Sequence, residues 1–228
     1  MKVVSVPAAL GRTVVGIGFY GLCLFVPAGT IDWPQGWLLL AILAYAAIGE
    51  VVVLTIGNRV LLAERSRPLN DPAFEPWDRR LTLVAGTLLV AVLIVAGLDR
   101  RFGWTPVLPA WAVAVGALVA VAGNSLFLWA MASNRTFFRG VRIDQRDHAV
   151  ATAGPYRAVR HPGYLGAIAA QLGQPVAAGT LVGLVPAALA ALVMLWRTRL
   201  EDRFLIEGLA GYAEFARRSR FRLLPFIW

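Results

Sequence analysis

Four apolar runs of about 20 residues each, uncharged except for Glu50, occupy most of the first 132 positions of the chain. A helix of this length is long enough to cross the hydrocarbon core of a bilayer. The first run is better explained as a span than as a cleaved signal peptide, because it is long, no A-x-A cleavage pattern follows it and further spans come after it. The pattern therefore predicts four membrane-spanning helices, at residues 13–31, 37–57, 81–98 and 107–132.

A fifth apolar run, 163–196, holds 34 residues without a charge. As one straight α-helix it would be about 51 Å long, well beyond a hydrocarbon core of roughly 30 Å. We therefore expect a break at residues 173–175, a Gly-Gln-Pro sequence, because proline cannot continue the helical hydrogen-bond ladder. The run then forms a helical hairpin with a first leg near 163–173 and a second leg near 176–196.

The composition is typical of an integral membrane protein. Apolar residues make up 58% of the 228 residues and charged residues only 15%, which is too apolar for an ordinary soluble domain. The lone cysteine, Cys23, lies inside the first apolar run, which excludes a disulfide framework, a cysteine-based zinc site and an iron–sulfur cluster. We therefore predict an all-α, polytopic membrane helix bundle of about five transmembrane helices that ends in the helical hairpin.

The distribution of basic residues indicates how the chain crosses the membrane. Lysine and arginine concentrate in the cytoplasmic loops of membrane proteins. With a cytoplasmic N-terminus, the connections 58–80 and 133–161 and the tail after residue 196 all lie inside. Together with Lys2 and Arg12 they carry 20 of the 22 basic residues. The charge of +9 therefore reports membrane topology, and we expect both termini to be cytoplasmic.

Two polar segments interrupt the apolar pattern in the region 133–228, which follows the four-span region 1–132. The first is 144–166, DQRDHAVATAGPYRAVRHPGYLG, which carries both histidines, His148 and His161. Its Gly-Pro and His-Pro-Gly sequences favour turns, so we expect its polar side chains to be held at the cytoplasmic end of the bundle. The alternative is that they only anchor the chain at the interface or contact phospholipid headgroups.

The second polar segment is the tail, WRTRLEDRFLIEGLAGYAEFARRSRFRLLPFIW. Arg197 and Glu201 are four residues apart and so share one helix face. An ion pair on an amphipathic interfacial helix is the simpler interpretation, and we prefer it for Glu207, Glu214, Arg217 and Arg218. For Arg197 and Glu201 we expect a pocket instead, because a hairpin that returns to the cytoplasm brings them next to His161.

These two segments together resemble the isoprenylcysteine carboxyl methyltransferase family and, more broadly, the phospholipid methyltransferase-like membrane enzymes that use S-adenosylmethionine. The resemblance covers residues 141–228 and pairs HAVATAGPYRAVRHPGYLG with RTRLEDRFLIEGLAGYAEFARR and RLLPFIW. It implies a cytoplasmic cofactor pocket formed by the RHPxY segment and the acidic pair after the last span. Asp202 stands where the family usually has Glu, and Val141 stands where the eukaryotic enzymes have a polar cofactor contact.

Carried over residue by residue, the resemblance implies a site for S-adenosyl-L-methionine and a substrate contact. The implied cofactor contacts are His148, Ala149, Val150, Ala151, Tyr156, His161, Pro162, Gly163, Tyr164 and Glu201. Arg197 is the implied substrate contact, and with His161 and Tyr164 it forms the predicted catalytic set. No metal ligand is implied.

The residue types suit the chemistry of a sulfonium methyl donor. Its ammonium group needs a carboxylate, for which Glu201 is the candidate, and its carboxylate needs cations or backbone N–H groups, which we expect near Arg160 and His161. A carboxylate acceptor is ionised at neutral pH, because its reference pKa is about 3.5, so it needs no general base and Arg197 could orient it. An amine or thiol acceptor must lose a proton. The candidate bases are then His161, His148 and Tyr164.

The sequence therefore predicts a membrane methyltransferase that uses S-adenosylmethionine and prefers a prenylcysteine-like carboxylate. A phospholipid amine, another isoprenoid and a small thiol remain open as acceptors. The rival functions are a membrane reductase that binds NADPH and a non-catalytic protein whose basic loops bind anionic lipid. We expect lipophilic substrates and membrane lipids as partners, no nucleic acid, and a cytoplasmic active site in a bacterial inner membrane.

Glu50 lies in the second predicted span, where an ionisable residue is a functional hypothesis by default. A role in a channel for lipid or substrate and an ion pair with a neighbouring helix are both open.

Overall fold

Eight α-helices and one short 3₁₀ turn form the part of the chain that the computed structural model describes, residues 6–57, 59–65, 71–143 and 149–228. The 3₁₀ turn, Gly154–Arg157, lies between the fifth and sixth helices. No strand occurs among these residues, so the predicted all-α class is confirmed. The helices are α1 (Val6–Ala28), α2 (Pro34–Gly57), α3 (Arg59–Arg65), α4 (Pro76–Phe102), α5 (Ala110–Ala132), α6 (Pro162–Ala177), α7 (Leu184–Gly208) and α8 (Tyr212–Arg218).

Four helices in the described ranges, α1, α2, α4 and α5, are long and apolar enough to cross a membrane. They overlap the four predicted spans, and α4 begins at Pro76, before the predicted start at residue 81. Proline suits this position because the first N–H groups of a helix have no partner within the helix in any case. The chain is therefore a polytopic helical membrane bundle.

The six longer helices pack as a closed ring. Around this ring α1 contacts α2, α2 contacts α5, α5 contacts α6, α6 contacts α7, α7 contacts α4, and α4 contacts α1. The short helix α3 packs on α2, and α8 packs on α7. The ring brings the first turns of α4 and α6 together with the C-terminal half of α7 at one end of the bundle.

Helices α5 and α6 pack through a seam of small residues. A Cβ atom at Gly123 would lie 2.5 Å from the backbone nitrogen of Ala170, and one at Gly173 would lie 2.6 Å from that of Ala120. Neither position has room for a larger residue, because the obstacle is backbone. Small residues that let helices approach closely are a common basis of helix association in membranes. The seam fixes α6, and the polar residues at its start, against α5.

The predicted hairpin is confirmed, but its turn lies later in the chain than residues 173–175. Helix α6 continues through this sequence to Ala177, and α7 begins at Leu184. Pro175 lies in the last turn of α6, and its carbonyl accepts a hydrogen bond from the N–H of Thr180 (2.9 Å) where the helix ends. Gly179 ends the helix in the left-handed conformation, with φ 79°, which glycine adopts without steric penalty.

Asp99 links the hairpin turn to the end of α4 through hydrogen bonds. Its side chain accepts hydrogen bonds from the backbone N–H of Thr105 (2.7 Å) and from the hydroxyl of Thr180. The N–H of Leu181 donates to the Thr105 hydroxyl (2.9 Å). Asp99 is only 3% exposed, and its oxygens are hydrogen-bonded as buried polar atoms require. This network holds together the end of the bundle opposite the polar segments.

Helix α7 continues to Gly208 instead of ending near residue 196. Arg197, Glu201 and Asp202 therefore lie on one continuous helix, and the predicted i,i+4 placement of Arg197 and Glu201 is confirmed. The apolar first part of α7 packs on α6 and α4, so its polar second part is carried to the first turns of both neighbours.

Candidate functional site

A cavity of about 260 Å³ lies at the end of the bundle where α4 and α6 begin and α5 ends. This volume is close to the lower end of the range for small-molecule sites. Among the described residues the lining includes five arginines and one acidic side chain, Glu201. The site can therefore meet both negative and positive groups of a ligand.

Nine of the eleven residues implied by the sequence motifs line this cavity. Pro162 does not line it and is buried at the start of α6. His148 lies outside the described residues. The nine are Ala149, Val150, Ala151, Tyr156, His161, Gly163, Tyr164, Arg197 and Glu201.

Tyr164 connects the first turn of α6 to α7. Its hydroxyl donates a hydrogen bond to Oε2 of Glu201, and its ring centroid lies 5.1 Å from Cζ of the Arg197 guanidinium. It also stacks on His161, with ring centroids 5.7 Å apart. The other carboxylate oxygen of Glu201, Oε1, has no hydrogen-bond partner in the described chain. Glu201 therefore has one oxygen free for a cationic group in the cavity.

The Arg197 guanidinium is held along one edge. Its Nε donates to Oδ1 of Asp78 (2.6 Å), and its Nη2 donates to the carbonyl of Arg139 (3.2 Å). The Arg197 side chain is 10% exposed and lines the cavity. Of the five N–H groups of a guanidinium, the two on Nη1 of Arg197 have no hydrogen-bond partner within the described ranges. An anion is the ligand that such N–H groups bind best.

Asp78 is a member of this site that sequence reasoning missed. It lies in the first turn of α4 and is 1% exposed. A carboxylate there is also expected from its favourable interaction with the helix dipole, so its position gave no reason to suspect a further role. Its partner, Arg197, is 119 residues away in the chain. The only available signal was a lone acidic residue at the start of a long apolar helix.

Asp202 lies outside the cavity lining and binds the C-terminal segment. Its carboxylate accepts hydrogen bonds from Arg160 (Nε to Oδ1, 2.7 Å), from Arg222 (Nε to Oδ2, 2.8 Å) and from the Tyr212 hydroxyl (3.0 Å). Burial favours its protonated form, but hydrogen bonds from His161, Arg160 and Arg222 outweigh this effect, so the pKa of Asp202 lies well below its ordinary value. Asp202 is thus an ionised anchor for the tail.

The donors expected near Arg160 and His161 are already bound. The backbone N–H of Arg160 donates to the carbonyl of Phe221, and that of His161 donates to the carbonyl of Arg222, both at 2.9 Å. The Arg160 guanidinium binds Asp202 and carbonyls of the tail. The carboxylate of a ligand must therefore find other donors, because the tail pairs with this segment in a way that the sequence pattern did not indicate.

The segment 149–151 lines the cavity with unpaired backbone. No backbone group of Ala149, Val150 or Ala151 forms a hydrogen bond within the described part of the chain. Such groups bind water or a ligand. Tyr156 packs in the same cluster, and its hydroxyl accepts a hydrogen bond from Nδ2 of Asn134 (3.2 Å). Burial raises the pKa of Tyr156 above its ordinary value, so the hydroxyl stays protonated.

Gly163 allows Phe137 to form an apolar wall of the cavity. A Cβ atom at position 163 would lie 2.8 Å from the Phe137 ring, so only glycine permits this close approach. Phe137 packs edge to face on Phe127 of α5, with ring centroids 5.3 Å apart. On α4, the lining residue Thr82 has a buried hydroxyl without a hydrogen-bond partner in the described chain. The cavity therefore combines an apolar wall with polar groups that a ligand can satisfy.

Glu50 forms an ion pair with Arg65 of α3 (Nε to Oε1, 2.7 Å). Arg65 lines the cavity, and its Nη1 donates to the carbonyl of Phe137 (3.2 Å). The sequence left open a channel role and an ion pair with a neighbouring helix for Glu50, and the structure shows the ion pair. The pair ties α2 to the wall of the cavity.

Comparison with known proteins identifies the C-terminal part of the chain. Residues 114–207 match the family model described as the isoprenylcysteine carboxyl methyltransferase (ICMT) family. The matched residues include most of α5, all of α6 and nearly all of α7, and they hold every site residue that the motifs implied. The match confirms the family resemblance. A search of the curated proteins found no match to this chain.

Proposed function

We infer that this chain, a membrane methyltransferase by its isoprenylcysteine carboxyl methyltransferase domain and its apolar spans, takes its methyl group from S-adenosylmethionine. The proposed acceptor is the carboxylate of a lipophilic, prenylcysteine-like molecule. The observation that carries this proposal is the buried guanidinium of Arg197. It lines the same cavity as the Glu201 carboxylate and has N–H groups without a partner among the described residues.

The groups around the cavity fit a sulfonium methyl donor. Glu201 has a free oxygen for an ammonium group, and the unpaired backbone at 149–151 offers hydrogen bonds to the donor's other polar groups. Tyr156, Gly163 and Tyr164 are the proposed walls, and His148 keeps its predicted role as a contact. When bound, the donor supplies an electrophilic methyl group.

Arg197 is the proposed anchor for the acceptor. A guanidinium recognises a carboxylate through parallel N–H donors, which fix both position and orientation. Orientation is the main requirement here, because a carboxylate acceptor is already ionised at neutral pH and needs no proton removed. Holding two reactants in the reactive alignment can lower the activation barrier by several kcal/mol.

The apolar wall suits a lipid-like acceptor. The rings of Phe127 and Phe137 line the cavity, and burying apolar surface against them favours binding of a hydrocarbon chain. We propose that the acceptor enters from the bilayer, where such a molecule partitions. In this proposal Arg197 binds the carboxylate of the acceptor, and the apolar wall binds its hydrocarbon chain.

We propose a carboxylate acceptor over an amine or a thiol because a carboxylate needs no general base beside Arg197. An amine or thiol must lose a proton to a base. The Nε2 atom of His161 lies 3.2 Å from Oδ1 of Asp202 and 3.2 Å from the Tyr212 hydroxyl, so protein groups already engage this nitrogen. We propose His161 and Tyr164 as catalytic-site residues that shape the pocket beside Arg197, with no proton transfer assigned to either.

We propose that the cavity opens on the cytoplasmic side and that both termini lie there. The concentration of basic residues in the connections at this end supports this orientation. A reporter fused after Trp228 should be active only in the cytoplasm. Activity on the other side of the membrane would overturn the proposed orientation.

The decisive experiment is calorimetric titration of the detergent-purified protein with S-adenosylmethionine, S-adenosylhomocysteine and NADPH in parallel. Saturable binding of the first two alone supports the proposed cofactor. Binding of NADPH alone would support a reductase, and binding of none would support a non-catalytic lipid-binding protein.

Methyl uptake then identifies the acceptor. Radiolabelled methyl donor is supplied with an S-prenylated N-acetylcysteine, a phosphatidylethanolamine or a small thiol. We expect label in a base-labile methyl ester of the prenylcysteine. Label in the phospholipid amine or the thiol alone would replace the proposed acceptor class.

A further inference from the structure

Asp78 joins three separate parts of the chain at the cavity. Its Oδ1 accepts a hydrogen bond from Nε of Arg197 (2.6 Å), and its Oδ2 accepts one from the backbone N–H of Val141 (2.8 Å). The carbonyl of Val141 accepts a hydrogen bond from the N–H of Glu75, just before α4 (3.1 Å). One buried carboxylate thus holds both the arginine of α7 and the loop that lines the cavity beside it.

These contacts determine which edge of the Arg197 guanidinium faces the cavity. Nε and Nη2 form one edge of the planar group, and these two nitrogens donate to Asp78 and to the carbonyl of Arg139. Both N–H groups of Nη1 and one of Nη2 have no partner in the described chain, and Nη1 and Nη2 together form the outer edge. That edge has the parallel donors that match the two oxygens of a carboxylate.

We propose that Asp78 is a positioning residue for the methyl acceptor. It binds one edge of Arg197 and thereby presents the other edge to the acceptor carboxylate. Asp78 is outside the matched residues 114–207, so the proposal gives the N-terminal helices a part in the reaction. It rests on the proposed function, because it requires that Arg197 binds the acceptor.

A purely structural role is the alternative explanation. A buried ion pair between α4 and α7 would hold the two helices together whatever the cavity binds. The two roles differ in what they change. Loss of a structural tie lowers stability and weakens the binding of all ligands together. Loss of positioning weakens the binding of the acceptor only, because the proposed contact of the methyl donor is Glu201.

The test compares Asp78→Asn with Asp99→Asn in the full chain, purified in detergent. Asparagine keeps the size of aspartate and removes its charge. Asp99 is the matched control because it is also a buried carboxylate of α4, but it lies at the opposite end of the helix, and its partners Thr105 and Thr180 do not line the cavity. Each variant is measured for its thermal midpoint, its affinity for S-adenosylhomocysteine, and kcat and KM for methyl transfer to N-acetyl-S-farnesylcysteine.

We expect Asp78→Asn to raise the KM for the acceptor and to lower kcat/KM by about tenfold or more, as for the weakening of a charge-assisted contact. Its affinity for S-adenosylhomocysteine should stay within about twofold of wild type. Asp99→Asn should lower the thermal midpoint and leave these kinetic constants unchanged. Kinetics of Asp78→Asn that match those of Asp99→Asn would overturn the proposal.

Two further variants keep the test decisive if Asp78→Asn does not fold. Asp78→Glu keeps the charge and displaces Arg197 by one methylene, so it should raise the acceptor KM, and a wild-type KM would count against positioning. In an Arg197→Lys background, Asp78→Glu should lower kcat/KM for the acceptor little further, because the guanidinium that Asp78 orients is absent. Losses in kcat/KM that are fully additive would also overturn the proposal.

Failure of the proposed function and failure of the positioning role give different results. If the wild-type protein transfers no methyl group to any carboxylate acceptor, the proposed function is wrong and the role of Asp78 is wrong with it. If the wild type is active and both Asp78 variants behave as wild type towards the acceptor, only the positioning role is wrong.

Discussion

Arg160 and Asp202 form a two-point ion pair, with Nε 2.7 Å from Oδ1 and Nη2 2.9 Å from Oδ2. The exposed fractions of the two side chains are 6% and 1%. Arg160 also donates to the carbonyls of Ser219 (2.8 Å) and Arg220 (3.0 Å). The pair therefore links the segment before α6, the second half of α7 and the C-terminal tail at the base of the cavity.

The replacement Asp202→Asn should lower the free energy of unfolding by about 3–5 kcal/mol, because it leaves the buried Arg160 without its counter-charge. Thermal or denaturant unfolding in detergent measures the change. Glu214→Gln is the control, since it breaks an exposed i,i+4 pair with Arg218 and should change stability by less than about 0.5 kcal/mol. Equal losses in the two variants would contradict the anchoring role of Asp202.

Asp202 also predicts an acid limit to stability. Its pKa in the folded protein lies below its ordinary value, and the pKa in the unfolded chain is about 3.9. Its stabilising contribution is therefore complete above about pH 5 and declines as the pH falls below about 4 towards the folded-state pKa. The thermal midpoint of the wild type should fall more steeply than that of Asp202→Asn between about pH 5 and pH 3. Parallel curves would show that another group is responsible.

Glu201→Gln should weaken binding of S-adenosylmethionine by about tenfold or more, because it removes the charge proposed to meet the ammonium group. Calorimetry measures the affinity. Glu207→Gln is the matched control on the same helix, where Glu207 is exposed and pairs only with Arg203 among the described residues. Unchanged affinity in Glu201→Gln would remove Glu201 from the proposed cofactor site.

Arg197→Lys should leave the affinity for the methyl donor unchanged and lower kcat/KM for the carboxylate acceptor by about 100-fold, because lysine lacks the parallel N–H donors of arginine. Steady-state kinetics with a prenylated cysteine and calorimetry with S-adenosylhomocysteine measure the two effects. Loss of donor binding in the same proportion would mean that Arg197 supports the whole pocket.

Gly123→Leu should destabilise the bundle by more than about 2 kcal/mol, because the new side chain meets the backbone of α6. The change is measured as a lower thermal midpoint. Gly86→Leu is the control, since no atom of another described element lies within 4 Å of a Cβ atom at that position of α4, and leucine favours a helix over glycine. A stable Gly123→Leu variant would contradict the close packing of α5 on α6.

Much of the membrane architecture could be predicted from the sequence. The apolar runs predict α1, α2, α4 and α5, and the uncharged 163–196 run predicts the hairpin, because the length of an apolar run is a property of contiguous residues. Nine of the eleven residues that the motifs implied also line the cavity. The hairpin turn lies later than the predicted break at residues 173–175, because Gly179, and not Pro175, has the backbone freedom that ends α6.

The amino-acid sequence alone determined the helical class, the spans and the polar segments that contribute to the cavity. Only the tertiary structure decided which charges meet, and it paired Arg197 with Asp78 and Arg160 with Asp202. Sequence spacing cannot reveal such pairs, because partners far apart in the chain meet only through the order in which helices pack around the ring. A buried charge requires a counter-charge wherever the packing places it. Here the packing places Asp78 beside Arg197 and Asp202 beside Arg160 and the C-terminal tail.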